Sequence, residues 1–216
     1  MIDSTHNLVS NYFFSDGKKA SLFSILIRDP LTGKGLPIAW AFTGSSAETL
    51  VHNILRWLRK STGVVPQAVM SNCNLAISNA VEAAYSDLWD QAPKHYWCLF
   101  HVMKAFKENA KSHLKGRADE ALTDLRGVVY SQTDMTELRL ELFCGKWNRI
   151  SPSFVDYVRR QWDNRAKQWG LFYQTPIRVF TPTTMSSRGI DFSRLSSFHL
   201  QHTVASMRSC KFWLKR

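Results

Sequence analysis

The chain has 216 residues, 44% hydrophobic and 21% charged, with 28 Lys and Arg against 17 Asp and Glu for a net charge of +11. That length supports one sizeable core with room for a helical appendage, and no apolar run approaches the roughly 20 residues a membrane-spanning helix needs. The opening residues carry neither a basic segment ahead of an apolar stretch nor an acylation site, which reads as a soluble, intracellular protein. Cys73, Cys98, Cys144 and Cys210 are irregularly spaced and read as reduced, buried thiols, not zinc knuckles. The positive excess favours a polyanion through counterion release. It is uneven: from Pro176 to Arg216 seven basic residues face only Asp191, which leaves +6 there and +5 in residues 1–175.

Taken in order, IDSTHN reads as a strand end and SDGKK as a turn. Residues 20–29 (ASLFSILIRD) and 35–43 (GLPIAWAFT) form a hairpin joined by PLTGKG, whose proline and glycines suit a turn. Ser45 or Ser46 can cap a helix whose Val51, Ile54, Leu55 and Leu58 form one apolar stripe, ended by Gly63. QAVMSN is a short buried strand, and Ile77, Ala80, Val81, Ala84, Tyr85 and Leu88 mark a second helix. HYWCLF is another strand, and Val102, Ala105, Phe106 and Ala110 share a face of a third helix. The order βββαβαβα predicts an α/β protein with a mixed, RNase H-like sheet, whose parallel strands need helical crossovers. From Lys115 to Phe172 helical spacing persists in ADEALTDLRGVV, DMTELRLELF and PSFVDYVRRQWDNRAKQW, an all-helical segment. After Thr175 Ser, Thr and Arg dominate and periodicity is lost, as in a disordered tail. The expected domains are therefore 1–114, 115–175 and 176–216.

The stretch Met70–His101, MSNCNLAISNAVEAAYSDLWDQAPKHYWCLFH, sets a strand end, an amphipathic helix, an apolar strand and a CxxH in fixed order. Together with IDSTHN that order resembles the core of a Mutator-like (MULE) transposase over residues 1–175. The resemblance implies ancestral cleavage and transfer of DNA strands in the nucleus, with transposon ends as partner and a homo-oligomer left open. It also implies Mg²⁺ or Mn²⁺ held by three carboxylates for in-line phosphoryl transfer. Asp3 matches the family's first catalytic Asp, a metal ligand; as an isolated residue it is most often a turn or helix cap. Where the family carries M-x-D-x-D-x-A-I this chain has MSNCNLAI, which puts Asn72 at the second catalytic position and Asn74 at the acidic position beside it. A neutral carboxamide is a far poorer ligand for a hard cation than a carboxylate, while both asparagines also read as plain helix caps. Each Asp-to-Asn change needs one G-to-A transition, the mark of a decaying gene copy. Cys98 and His101 form the family's CxxH; two ligands do not make a structural zinc site, and a buried thiol beside a helix-start histidine is the plainer reading.

The family's final Glu, in a segment similar to TNNYVESWH, has no counterpart in this frame, and the surroundings of Asp191 do not match it. Read one frame over, codons permitted by Phe180–Arg194 can encode HTNNYVESWHR, which points to a frameshift between about Thr175 and Phe180. The start also reads as truncated, with only Met1 and Ile2 ahead of Asp3. The aromatic and basic residues Trp147, Arg149, Tyr157, Arg159, Arg160, Trp162, Arg165, Lys167 and Trp169 read either as DNA contacts or as core tryptophans beside solvated arginines. The expectation is a catalytically inactive transposase remnant. The alternatives are a non-catalytic DNA-binding or interaction protein built on the same scaffold, and a nuclease that works with fewer carboxylates.

Overall fold

Two apolar runs of nine residues organise the sheet. β2 (Ala20–Arg28) and β3 (Gly35–Thr43) pair antiparallel, with Ser21 opposite Thr43 and Arg28 opposite Gly35. All five residues from Leu22 to Leu26 are buried, so β2 is covered on both faces. The computed structural model describes residues 1–9, 20–29, 31–32, 35–43, 47–174, 203–207 and 210–214. The expected SDGKK turn, the Ser45 or Ser46 cap, Asp191 and the frame-shifted segment lie outside the described residues.

β1 (Ile2–Val9) runs antiparallel to β2, with Ile2 opposite Ile25 and Asp3 opposite Ser24. Asp3 therefore stands near the start of an eight-residue strand, not at the end of a shortened one. Thr5 and Val9 favour extended backbone, and β2 is long enough to pair with the strand as far as Val9. The strand order is β1-β2-β3-β7-β6, with β6 (Thr203–Met207) and β7 (Cys210–Leu214). Within the expected disordered tail these ten residues are instead strands. TVASM and CKFWL are rich in β-branched and aromatic residues, and the edge of β3 offers β7 backbone groups to pair with, Ala39 opposite Leu214 and Phe42 opposite Lys211.

The chain divides into two compact units, Met1–His95 with Phe180–Arg216, and Tyr96–Val179. In the first, α1 (Ala47–Thr62) and α2 (Leu75–Tyr85) pack together. They bury Leu50, Val51, Ile54, Leu55, Ile77, Ala80, Val81, Ala84 and Tyr85 against Ile2, Phe23, Ile25, Ala39 and Ala41 of the sheet and Val69 of β4 (Ala68–Ser71). Gly63 ends α1 at φ 69°, a left-handed turn without penalty for glycine, and its N–H donates to the Arg59 carbonyl at 2.8 Å. Arg59 also grips Asp87 through two bonds of 2.7 and 2.8 Å, and this pairing holds the Asp87 carboxyl below its ordinary value. β4 belongs to a separate two-stranded sheet with β5 (Lys94–Trp97), begun by the Lys94 N–H on the Gln67 carbonyl at 3.1 Å. β1 contacts β4.

The second unit is built from α3 (Leu99–His113), α4 (Ala118–Val129), α5 (Thr136–Asn148), α6 (Pro152–Trp162) and α7 (Ala166–Trp169). The expected strand HYWCLF stops at Trp97, and α3 starts two residues on. An apolar run alone does not distinguish strand from helix, and Leu99, Val102, Phe106 and Ala110 continue the helical stripe. Because that stripe packs with α4 and α6, α3 groups with the helices after it, and the division falls ahead of residue 114. Trp162 fills the centre, stacked on Phe106 at 4.4 Å and edge-on to Trp97 at 5.6 Å. The single helix expected over PSFVDYVRRQWDNRAKQW is broken by a 3₁₀ turn at Asp163–Arg165. The break lets Trp169 fold back and donate its indole N–H to the Trp162 carbonyl at 2.9 Å. Ser151 caps α6, its Oγ accepting from the Phe154 N–H, and Pro152 occupies the first turn, where its missing N–H removes nothing. Among the described residues no helix is long and apolar enough to cross a membrane.

Candidate functional site

The junction of β4 and α2 is held by a chain of local hydrogen bonds. Asn72 Oδ1 accepts the Asn74 N–H at 3.1 Å, and Asn74 Oδ1 accepts the Ala76 N–H at 2.9 Å. The second bond is a helix cap: Asn74 has extended dihedrals (φ −80°, ψ 123°), and its carboxamide satisfies one of the N–H groups that the first turn leaves without an intrahelical acceptor. Ser71 is fully buried; its hydroxyl donates to the Asn72 carbonyl at 2.7 Å and meets His95 Nε2 at 2.9 Å. The Ser71–His95 contact ties β4 to β5 as a brace between the two strands. Neither residue belongs to a recognisable motif; the one sequence signal is a polar residue on each of two short strands.

Asp3 and Asn72 belong to the same unit, on β1 and just beyond β4, two strands of different sheets that contact each other. Cys98 and His101 belong to the other unit. Cys98 is the N-cap residue of α3, 6% exposed, and makes no side-chain cap bond; its carbonyl accepts the Val102 N–H at 3.0 Å. His101 is half-buried, edge-on to Phe100 at 5.4 Å. Cys98, with Cys144, fits the expected buried thiol, whereas Cys73 is half-buried. Burial pushes the Cys144 thiol up to about 11. The donor set does not fit a pair of divalent cations: Asn72 is neutral and its oxygen is engaged in the turn. Among the described residues no three His, Cys, Asp or Glu side chains gather where a metal could sit.

The aromatic and basic cluster separates by burial. Trp147, Trp162 and Trp169 are at most 1% exposed, so they are core and unavailable to stack on bases. Arg159 forks onto Glu141 at 2.8 and 2.9 Å, and the Arg165 guanidinium lies 5.6 Å from the Trp97 ring centroid. Positive charge gathers elsewhere. Lys104, Lys107 and Lys111 stand three and four positions apart on α3, so they line one face; all are exposed, with Phe100 at the N-terminal end of the row and Lys115 just past the helix. The acid nearest the row is Glu108, 4.0 Å from Lys104. The segment's overall charge does not disclose this row; its three-and-four spacing does. Comparison with known proteins finds no family model matching the chain and no curated protein similar to it.

Proposed function

We propose that this chain is a DNA-binding domain of transposase descent, RNase H-like in its first unit, that no longer cuts DNA. An antiparallel trio β3-β2-β1, followed by α1, β4, α2 and β5 with β1 in contact with β4, supports that fold. The observation that carries the functional half is Asn72. At the position where the resemblance calls for a carboxylate, a neutral amide spends its oxygen on the Asn74 N–H, so Asp3 lacks a charged companion there to share a divalent cation. The lysine row of α3 supports backbone contacts to DNA without sequence choice. On this reading the protein is nuclear, and Mg²⁺ or Mn²⁺ belongs to its ancestry.

The test combines labelled duplex, supercoiled plasmid and Mn²⁺ with the purified protein. The expected result is binding that weakens linearly in log salt while the plasmid stays intact. Metal-dependent nicking that disappears in Asp3→Ala overturns the claim of inertness; absence of binding at low salt overturns the claim of DNA contact. Asn72→Asp is expected to tighten Mn²⁺ binding, and no gain counts against the position assigned to residue 72.

A further inference from the structure

Helix α5 has two apolar faces and uses one. Thr136, Leu140, Phe143, Cys144 and Trp147 are buried within their own unit. On the opposite side Met135, Leu138 and Leu142 are 51%, 57% and 68% exposed. They stand three and then four positions apart, and a further step of three reaches Gly145, where an added Cβ would meet nothing within 4 Å. That is the narrow stripe of a short coiled-coil seam, with Leu142 at a, Leu138 and Gly145 at d, the N-cap residue Met135 just ahead of it, and the buried residues at b, c and f. The flanks are charged in one sense each. Within the helix Glu141 falls at g and Arg139 and Lys146 at e, with Lys146 five positions after Glu141, while Asp134 lies ahead of the helix and accepts the Tyr173 hydroxyl.

We propose that α5 docks against α5 of a second copy of this chain, parallel and in register, through this second seam. Charge complementarity selects both occupant and orientation. In a parallel pair the g flank of one helix faces the e flank of the other, setting Glu141 against the partner's Lys146. An antiparallel pair sets acids against acids and bases against bases, which is repulsive. The same side chains now hold exposed local partners: Arg139 on the Gly127 carbonyl at 3.1 Å, Lys146 on Asp124 at 2.6 Å, and Glu141 on Arg159. Such surface pairs are weak and can be shared across an interface. A seam on a helix of 13 residues, with Gly145 at one of its positions, makes a weak, concentration-dependent dimer.

Sedimentation equilibrium from about 10 to 500 μM tests this, since interfaces of this size are weak and transient. The full chain is expected to show monomer–dimer equilibrium. Leu142→Glu and Glu141→Lys should each weaken it by about tenfold or more, and Glu141→Lys with Lys146→Glu should restore it to within about threefold. These positions are exposed, so circular dichroism should show every variant folded. Under mild oxidation Gly145→Cys should yield a disulfide-linked dimer, because parallel helices bring the two d positions together. A chain that stays monomeric throughout, a dimer indifferent to Leu142→Glu, or a charge swap that fails to rescue overturns the proposal.

Discussion

Replacing Lys104, Lys107 and Lys111 together by Ala removes the exposed row of α3 and leaves its buried stripe of Val102, Phe106 and Ala110 untouched. Seven residues separate the outer two lysines, so the row is about 10 Å long at 1.5 Å per residue. Each strand of a duplex presents one phosphate per roughly 3.4 Å of axis, enough for about three contacts along that length. Each contact adds about 0.9 to the slope of log affinity against log salt, so the triple variant should be shallower by about 2.7. Between about 50 and 200 mM salt the parent should then lose roughly 40-fold more affinity than the variant. Fluorescence anisotropy with a short labelled duplex reads both slopes. Glu108→Gln should strengthen binding slightly, because Glu108 stands 4.0 Å from Lys104 and competes for it. A triple variant whose slope equals the parent's would mean that these lysines are an ordinary solvated face.

Asn74→Ala removes the cap of α2 and should lower stability by about 1 kcal/mol in urea, whereas Asn74→Asp should match or exceed the parent because a carboxylate suits a helix N-terminus. Trp162→Ala should destabilise by about 3–5 kcal/mol, since the ring is 1% exposed and stacked on Phe106; Trp162→Phe should lose much less. The Cys144 thiol, pushed up to about 11 by burial, keeps its proton in the folded state while an unfolded thiol ionises near 9. Its contribution is therefore complete below pH 9 and lost as the pH rises through 11, so Cys144→Ala should flatten the alkaline fall in the urea midpoint. A variant with the parent's alkaline profile refutes that assignment.

What the sequence disclosed depended on whether the residues themselves impose geometry. The β2–β3 hairpin was legible because Pro30, Gly33 and Gly35 interrupt two apolar runs, and the cap of α2 because an asparagine ahead of a helical stripe has one favourable use. The start of α3 was not, because TyrTrpCysLeuPhe is apolar at every step and fits either period. The strands of the tail were missed for a related reason: composition weighed over forty residues hid two five-residue runs that need a sheet edge to pair with. The break after Trp162 carries no proline or glycine, and it follows from where Trp169 must go, which is a tertiary demand.

The candidate site shows a further limit, because the fold would accept either a carboxylate or a carboxamide at the positions that the proposed descent makes chemically decisive. At residue 72 the turn needs one oxygen to accept the Asn74 N–H, and at residue 74 the cap needs one to accept the Ala76 N–H. A carboxylate and a carboxamide both supply it. An ancestor with Asp at both positions would form the same turn and the same cap with an oxygen and a negative charge to spare, and those two surpluses are what a hard cation uses. Asparagine keeps the geometry and discards the surplus, so packing around Ser71 and α2 exerts no pressure to restore the acid. On the proposed descent, the scaffold would outlive its chemistry, since what positions the ligands and what charges them are separate properties of the same side chains.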